Sequence, residues 1–276
     1  LRASNALPSA LMDYAPDYER GRRILLEGIE LSRRSGRRDH EAWLWSNVGN
    51  YAFDQGRIDE VERAGQTCIE IGRSQSYPYG VGAGSMLLGQ AAFLRGDLDA
   101  AQRWADQAVR TLDAHEEVQA APYQYTLLGW IARARGDDET EMRCYLEGLG
   151  LAGDNLMGGM VDELLGEIVR GLAHRGHVSE AGPYLEQLRS AAPGRPNAEA
   201  FLWWGEGAVA DDPAGRETKL GAAAERFREL TRPIDEARCL LDLALAGSDP
   251  ASNLERARTL LTGCGAEVYL RASMSG

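Results

Sequence analysis

The chain has 276 residues, 44% hydrophobic and 26% charged, with a formal net charge of −12. That balance excludes wholesale disorder and predicts one or two domains with a real core. The acidic pI, near 4.9, excludes the cationic field that a nucleic-acid backbone requires, so no nucleic acid is expected to bind this segment.

The chain opens Leu1-Arg2-Ala3-Ser4-Asn5, without an initiator methionine or a leader pattern, which points to a piece of a longer protein. Pro16-Asp17-Tyr18-Glu19-Arg20-Gly21 then starts a pattern that recurs every 40 residues. Gly56, Gly96, Gly136 and Gly176 keep that interval, and Gly49, Gly89 and Gly129 keep it seven residues earlier. Gly56-Arg57-Ile58-Asp59-Glu60-Val61, Gly96-Asp97-Leu98-Asp99-Ala100-Ala101 and Gly176-His177-Val178-Ser179-Glu180-Ala181 are versions of one turn, and Gly136-Asp137-Asp138-Glu139 is a more polar copy. The chain is a repeat array.

Each unit reads as two helices. Leu44, Val48 and Ala52, or Leu87, Ala91 and Leu94, recur at helical spacing before the turn. After it come Ile58, Val61, Gly65, Cys68 and Ile69, or Leu98, Ala101, Ala105, Ala108 and Val109. Glycine ends the first helix in a left-handed conformation, and aspartate opens the second, where its carboxylate suits the free N–H groups. So short a connection makes the two helices antiparallel. Gly49, Gly89 and Gly129 inside the first helix predict close helix crossings, filled by a bulky neighbour. The stretch Val81 to Leu94 is apolar but broken by Ser85 and Gln90, so no transmembrane helix and no membrane partner are predicted.

The last third is less regular. Phe201-Leu202-Trp203-Trp204 begins a helix, Asp211 to Gly215 lengthens its turn, and Ala222 to Leu230 gives the second helix. Ile234 to Ala246 and Asn253 to Thr262 form a final pair, and Ala266 to Gly276 reads as a frayed or weakly capping tail. Residues 1–265 are thus expected to form one repeat domain of about seven pairs.

Trp45, Val48-Gly49, Ala52 and Val61, then Tyr125, Leu128-Gly129, Ala132 and Tyr145, then Leu172, Ala181, Leu185, Leu188 and Pro193 resemble the tetratricopeptide-repeat (TPR) pattern over nearly the whole chain. The resemblance implies an all-α fold, a right-handed superhelix or α-solenoid, whose concave face is lined by the first helix of each unit. The family's groove positions then fall on Trp43, Ser46, Asn50, Phe53 and Asp54, on Met86, Gln90, Phe93 and Leu94, and on Tyr123, Thr126, Trp130 and Arg133. Glu163, Arg170 and His174 follow, with Phe201 and Trp204 in the irregular unit. The expected ligand- or peptide-binding groove is the set Trp43, Asn50, Phe53, Gln90, Phe93, Tyr123, Trp130, Arg133, Arg170, His174 and Trp204. Aromatics and arginine are the side chains that dominate binding hot spots.

Chemistry is sparse elsewhere. There is no GxxxxGK[ST], and the lone lysine, Lys219, follows no glycine loop, so no ATPase activity is expected here. Gly80-Val81-Gly82-Ala83-Gly84-Ser85 lacks the third spaced glycine and a preceding strand, and reads as a helix start. His174 and His177 straddle Gly176 without further ligands at motif spacing, so no metal and no cofactor are expected. His40 and His115 read as surface residues. Asp137-Asp138-Glu139 reads as a solvated helix start rather than paired catalytic carboxylates. Cys68, Cys144, Cys239 and Cys264 lie far apart and fit reduced, mostly buried thiols in a cytoplasmic protein.

The segment from Leu26 to Gly36, the Gly-Arg-Ile-Asp-Glu turn, and Phe227-Arg228-Glu229-Leu230 before Arg232-Pro233 resemble the helical-repeat regions of large bacterial regulators. Those include LuxR-type and maltose-activator-like transcription factors and ATPase-coupled adenylate cyclases. The resemblance implies a non-enzymatic sensor region whose groove takes a peptide, a partner protein or a small-molecule inducer. A freestanding adaptor is the alternative, a solenoid enzyme a more distant one, and a homo-oligomer is left open. The arginine-rich, lysine-poor basic set fits the codon usage of a high-GC bacterium.

Overall fold

A computed structural model describes residues 17–113, 121–152 and 159–274. Leu1–Asn5, Pro16 and His115 lie outside the described residues, as do the last two residues of the tail. Among the described residues the chain forms fourteen α-helices, one short 3-10 segment (Val178–Glu180) and no strand. A single helix, α1 (Tyr18–Arg34), precedes six antiparallel pairs. These are α2 (Arg38–Asp54) with α3 (Ile58–Ser74), α4 (Pro78–Leu94) with α5 (Leu98–Asp113), and α6 (Ala121–Ala134) with α7 (Asp138–Ala152). Then come α8 (Gly159–His174) with α9 (Gly182–Ala191), α10 (Pro196–Val209) with α11 (Pro213–Glu229), and α12 (Pro233–Leu245) with α13 (Pro250–Cys264). The fold is an all-α, TPR-like solenoid. No helix among the described residues is long and apolar enough to cross a membrane.

The 40-residue ladder is a ladder of identical helix stops. Gly56, Gly96, Gly136 and Gly176 have φ of +67, +76, +75 and +74°. At Gly56 the glycine N–H donates to the Phe53 carbonyl at 2.9 Å and the Arg57 N–H to the Ala52 carbonyl at 2.8 Å. The same two bonds recur at the other three, the paired stop that a left-handed residue permits. Asp97 and Asp137 then cap the following helices, accepting from the N–H groups of Ala100 and Thr140 at 2.9 and 3.0 Å. Asp59 does not cap; it pairs with Arg95 of the next unit at 2.8 Å, as Asp99 does with Arg135 at 3.0 Å. These exposed staples contribute at most about 1 kcal/mol each.

The second glycine ladder sets the stacking distance. A Cβ at Gly49 or Gly89 would overlap Leu87 or Leu127, each from the next first helix, and one at Gly129 would overlap the buried Tyr145 ring of α7. Gly129→Ala is therefore expected to cost about 1–3 kcal/mol through overpacking. Gly221 lies within α11 with open space around it, so Gly221→Ala is expected to gain up to about 1 kcal/mol. Urea unfolding of the two variants reads both signs.

The tail read as frayed or weakly capping contains a helix, α14 (Glu267–Met274). It turns inward, because Tyr269 meets Phe93 edge-on at 5.9 Å and Arg238 lies over its ring. The array also closes on itself. Gly56, at the turn between α2 and α3, sits against Cys264 and Pro233 of the last pair, and Gly96 faces the Arg271 guanidinium.

Candidate ligand-binding lumen

Closure brings the inner faces of the first helices together. Trp130 of α6 stacks between Phe53 of α2 (5.7 Å, 17°) and Phe93 of α4 (5.8 Å, 22°). Its indole N–H donates to Glu167 of α8 at 3.1 Å. Trp204 of α10 donates to Asp242 of α12 at 2.7 Å and carries the Arg170 guanidinium on its face at 3.9 Å. The expected groove residues Phe53, Phe93, Trp130, Arg133, Arg170 and Trp204 thus converge, but on each other and on the chain's own last pair. Trp130 and Trp204 are only 3% and 1% exposed, so they pack as core.

Other expected groove residues stand elsewhere. Trp43 stacks on His40 at 5.8 Å, near the start of α2, so the surface role read for His40 is partly replaced by packing. Tyr123 is half-buried in α6, and His174 is exposed at the end of α8. His177 pairs with Glu180 at 2.9 Å. Ser46 bonds the Trp43 carbonyl at 2.7 Å, while Met86, Leu94 and Phe201 are buried. All four cysteines are free, and burial pushes their thiols up.

A connected set of ion pairs fills the closed face. Arg232, just before α12, reaches Asp54 of α2 at 3.5 Å, Glu163 of α8 at 3.4 Å and Asp235 at 2.7 Å. Its guanidinium lies near the Phe201 and Phe227 rings. Tyr18 of α1 donates to Asp54 at 3.4 Å. Arg238 bonds Asp235 and Glu167, Arg170 bonds Glu167 and Asp242, and Arg133 lies 3.3 Å from both Glu167 and Glu141. Among the described residues, six carboxyl groups of this set are paired with four guanidinium groups.

The carboxyl groups respond in opposite directions. Burial acts on Glu167 too, but Arg238, Arg170 and Arg133 outweigh it and hold its carboxyl down, at about 2. Burial pushes Glu163 up to about 8, and the lowering effect of Arg232 is opposed by Asp235, Asp54 and Glu167. Folded Glu163 keeps its proton where the unfolded chain has lost it. It therefore lowers stability as pH rises from about 4.5 to about 8, with no further change above. Glu167 does the reverse: its contribution is present above the unfolded carboxylate range and is lost as pH falls toward about 2. Glu163→Gln is expected to lose less stability than wild type between pH 5 and pH 9, measured by urea midpoints.

One helical turn toward the helix starts, a second layer differs in kind. Asn50 lies three residues before Phe53, Gln90 three before Phe93, Thr126 four before Trp130 and Glu163 four before Glu167, so each shares its successor's face. Asn50 Oδ1, Gln90 Oε1 and Thr126 Oγ1 are buried without a hydrogen-bond partner. Gln90 and Thr126 are only 2% and 1% exposed.

Sequence reading missed Arg232, Asp235, Arg238, Asp242 and Glu167. The available signal was the charge inside α12, where Asp235, Glu236, Arg238 and Asp242 interrupt an otherwise apolar helix. Compared with known proteins, the chain matches no family model and no curated protein.

Proposed function

We propose that this chain is a non-enzymatic binding module whose receptor site is the lumen beneath the Phe53–Trp130–Phe93 stack. The observation that carries the reading is the layer of Asn50, Gln90 and Thr126, with buried oxygens lacking partners. Each such atom costs about 1–3 kcal/mol, and a ligand that bonds it recovers that loss. Because the inner face is filled by aromatics and ion pairs, the site suits a small molecule better than an extended peptide. On the resemblance to LuxR-type and maltose-activator-like regulators, the module would act as the sensor region of a larger bacterial regulator, reporting occupancy through the closure of the array.

The test pairs Gln90→Leu with Thr126→Val. The double variant is expected to be at least as stable as wild type without ligand, since it removes unpartnered polar atoms. It is expected to lose the thermal shift that a small-molecule library produces on wild type. A library that shifts neither protein, or both equally, would falsify the lumen assignment.

A second reading, an adaptor for a partner protein, is favoured by a shallow outer cleft of about 660 Å³. It is lined by Met142, Leu146, Leu172 and Arg175, and Leu146 is exposed. Leu146→Asp would weaken capture of such a partner and leave the lumen variants' behaviour unchanged.

A further inference from the structure

We propose that α14 is a releasable strap: docked, it closes the turn end of the array over Phe93, and undocked, it uncovers that end while the rest of the array stays folded. The proposal uses no ligand in the lumen, so it stands or falls independently of the reading above. Its first support is the path of the chain. Gly265, at φ +71°, ends α13 with the same two bonds as the glycine ladder, its N–H donating to the Thr262 carbonyl at 3.1 Å and that of Ala266 to the Leu261 carbonyl at 2.9 Å. The chain then crosses from the last pair to the second. Tyr269 meets Phe93 edge-on, and the Arg271 guanidinium lies against the turn at Gly96. Phe93 is the penultimate residue of α4 and belongs to the Phe53–Trp130–Phe93 stack, so α14 lies across the end of the lumen at which that stack sits.

The second support is what each partner keeps when α14 leaves. Arg238 lies over the Tyr269 ring at 5.2 Å, but also over Trp204 at 4.8 Å, and it pairs with Glu167 and Asp235. Phe93 keeps its stack on Trp130. Glu267 and Arg271 pair with each other at 3.1 Å, both side chains more than half exposed, so they leave together. Undocking therefore leaves these charges paired, whereas parting the last pair from α2 and α8 breaks the Arg232 bonds to Asp54 and Glu163.

The third support is size. α14 has eight residues, too few to hold a helix in water by themselves, so its order comes from docking. Val268, Tyr269 and Leu270 are only half-buried, and Glu267 and Arg271 are exposed. α4, on which it rests, buries Leu87, Leu88, Ala91, Phe93 and Leu94 in its second half alone. A short element with few buried groups opens far more often than the core helix beneath it, and it opens alone.

The experiment follows amide hydrogen exchange in the full chain by mass spectrometry, at urea concentrations below the unfolding transition. The α14 amides are expected to be protected, yet to exchange about a hundredfold faster than those of α4 and with little dependence on urea. Tyr269→Ala is expected to speed exchange in α14 by about tenfold and to leave α7 and α8 unchanged, while Tyr269→Phe, which keeps the ring, stays near wild type. A labelled peptide of residues 265–276 then probes the vacated seat. It is expected to bind Tyr269→Ala about tenfold tighter than wild type, whose own α14 fills the seat. If Tyr269→Ala does not fold, Arg271→Ala, at an exposed side chain, gives the same exchange comparison. Exchange in α14 as slow as in α4, with the same urea dependence, would show that α14 opens only with the whole array and overturns the proposal. So does exchange at the rate of an unstructured peptide, which means that α14 does not dock. Peptide binding that is equal in, or absent from, both folded proteins overturns it as well.

Discussion

Replacing Arg232 with alanine is expected to lower the unfolding free energy by about 3–5 kcal/mol, because it strands buried carboxyl groups without their counter-ion. Asp54, Glu163 and Asp235 all reach this guanidinium, and Arg232 is only 3% exposed. Asp235 retains Arg238 at 3.4 Å, but Asp54 and Glu163 each lose the Arg232 guanidinium that bonds them. The loss is expected to be unequal along the array. Hydrogen exchange should speed most in α1, α2 and the α12–α13 pair, which the cluster ties together, and least in α5 to α7. Adding Asp54→Asn should recover part of the loss, since it removes one of the stranded charges. Unfolding of Arg232→Ala within about 1 kcal/mol of wild type would show that the cluster does not hold the array closed.

Trp130→Ala is the other large effect, also about 3–5 kcal/mol, from a cavity between two stacked rings and a lost bond to Glu167. Read as a groove residue, Trp130 would be replaceable without loss of helical content. Its burial and its stack with Phe53 and Phe93 lead to the opposite expectation, a large drop in the urea midpoint. Trp43→Ala, at the more open start of α2, should cost clearly less. Retained stability in Trp130→Ala would mean that the inner face is not packed as core.

Much of the fold was legible in the residues because its causes are local. At Gly56, Gly96, Gly136 and Gly176 a φ near +70° closes a helix with two hydrogen bonds, so four glycines at one interval announce four helix pairs. Of the positions that the TPR resemblance assigns to a groove, Phe53, Phe93, Trp130, Arg133, Arg170 and Trp204 meet partners from other units. Those partners were not legible. The stack of Phe53 on Trp130 and the pairing of Arg170 with Asp242 join residues from different units, and no spacing within one unit encodes them.

The sequence by itself thus determined the repeat and the pairing of its helices. Only the tertiary structure decided that the array closes, that α14 turns in against Phe93, and that Arg232 ties Asp54 to Glu163. The reason is geometric: closure is the sum of small rotations at every helix interface, set by how Leu87, Leu127 and Tyr145 seat on the glycines opposite them. Each rotation is local, but their sum, and the buried charge it gathers, belongs to the whole array.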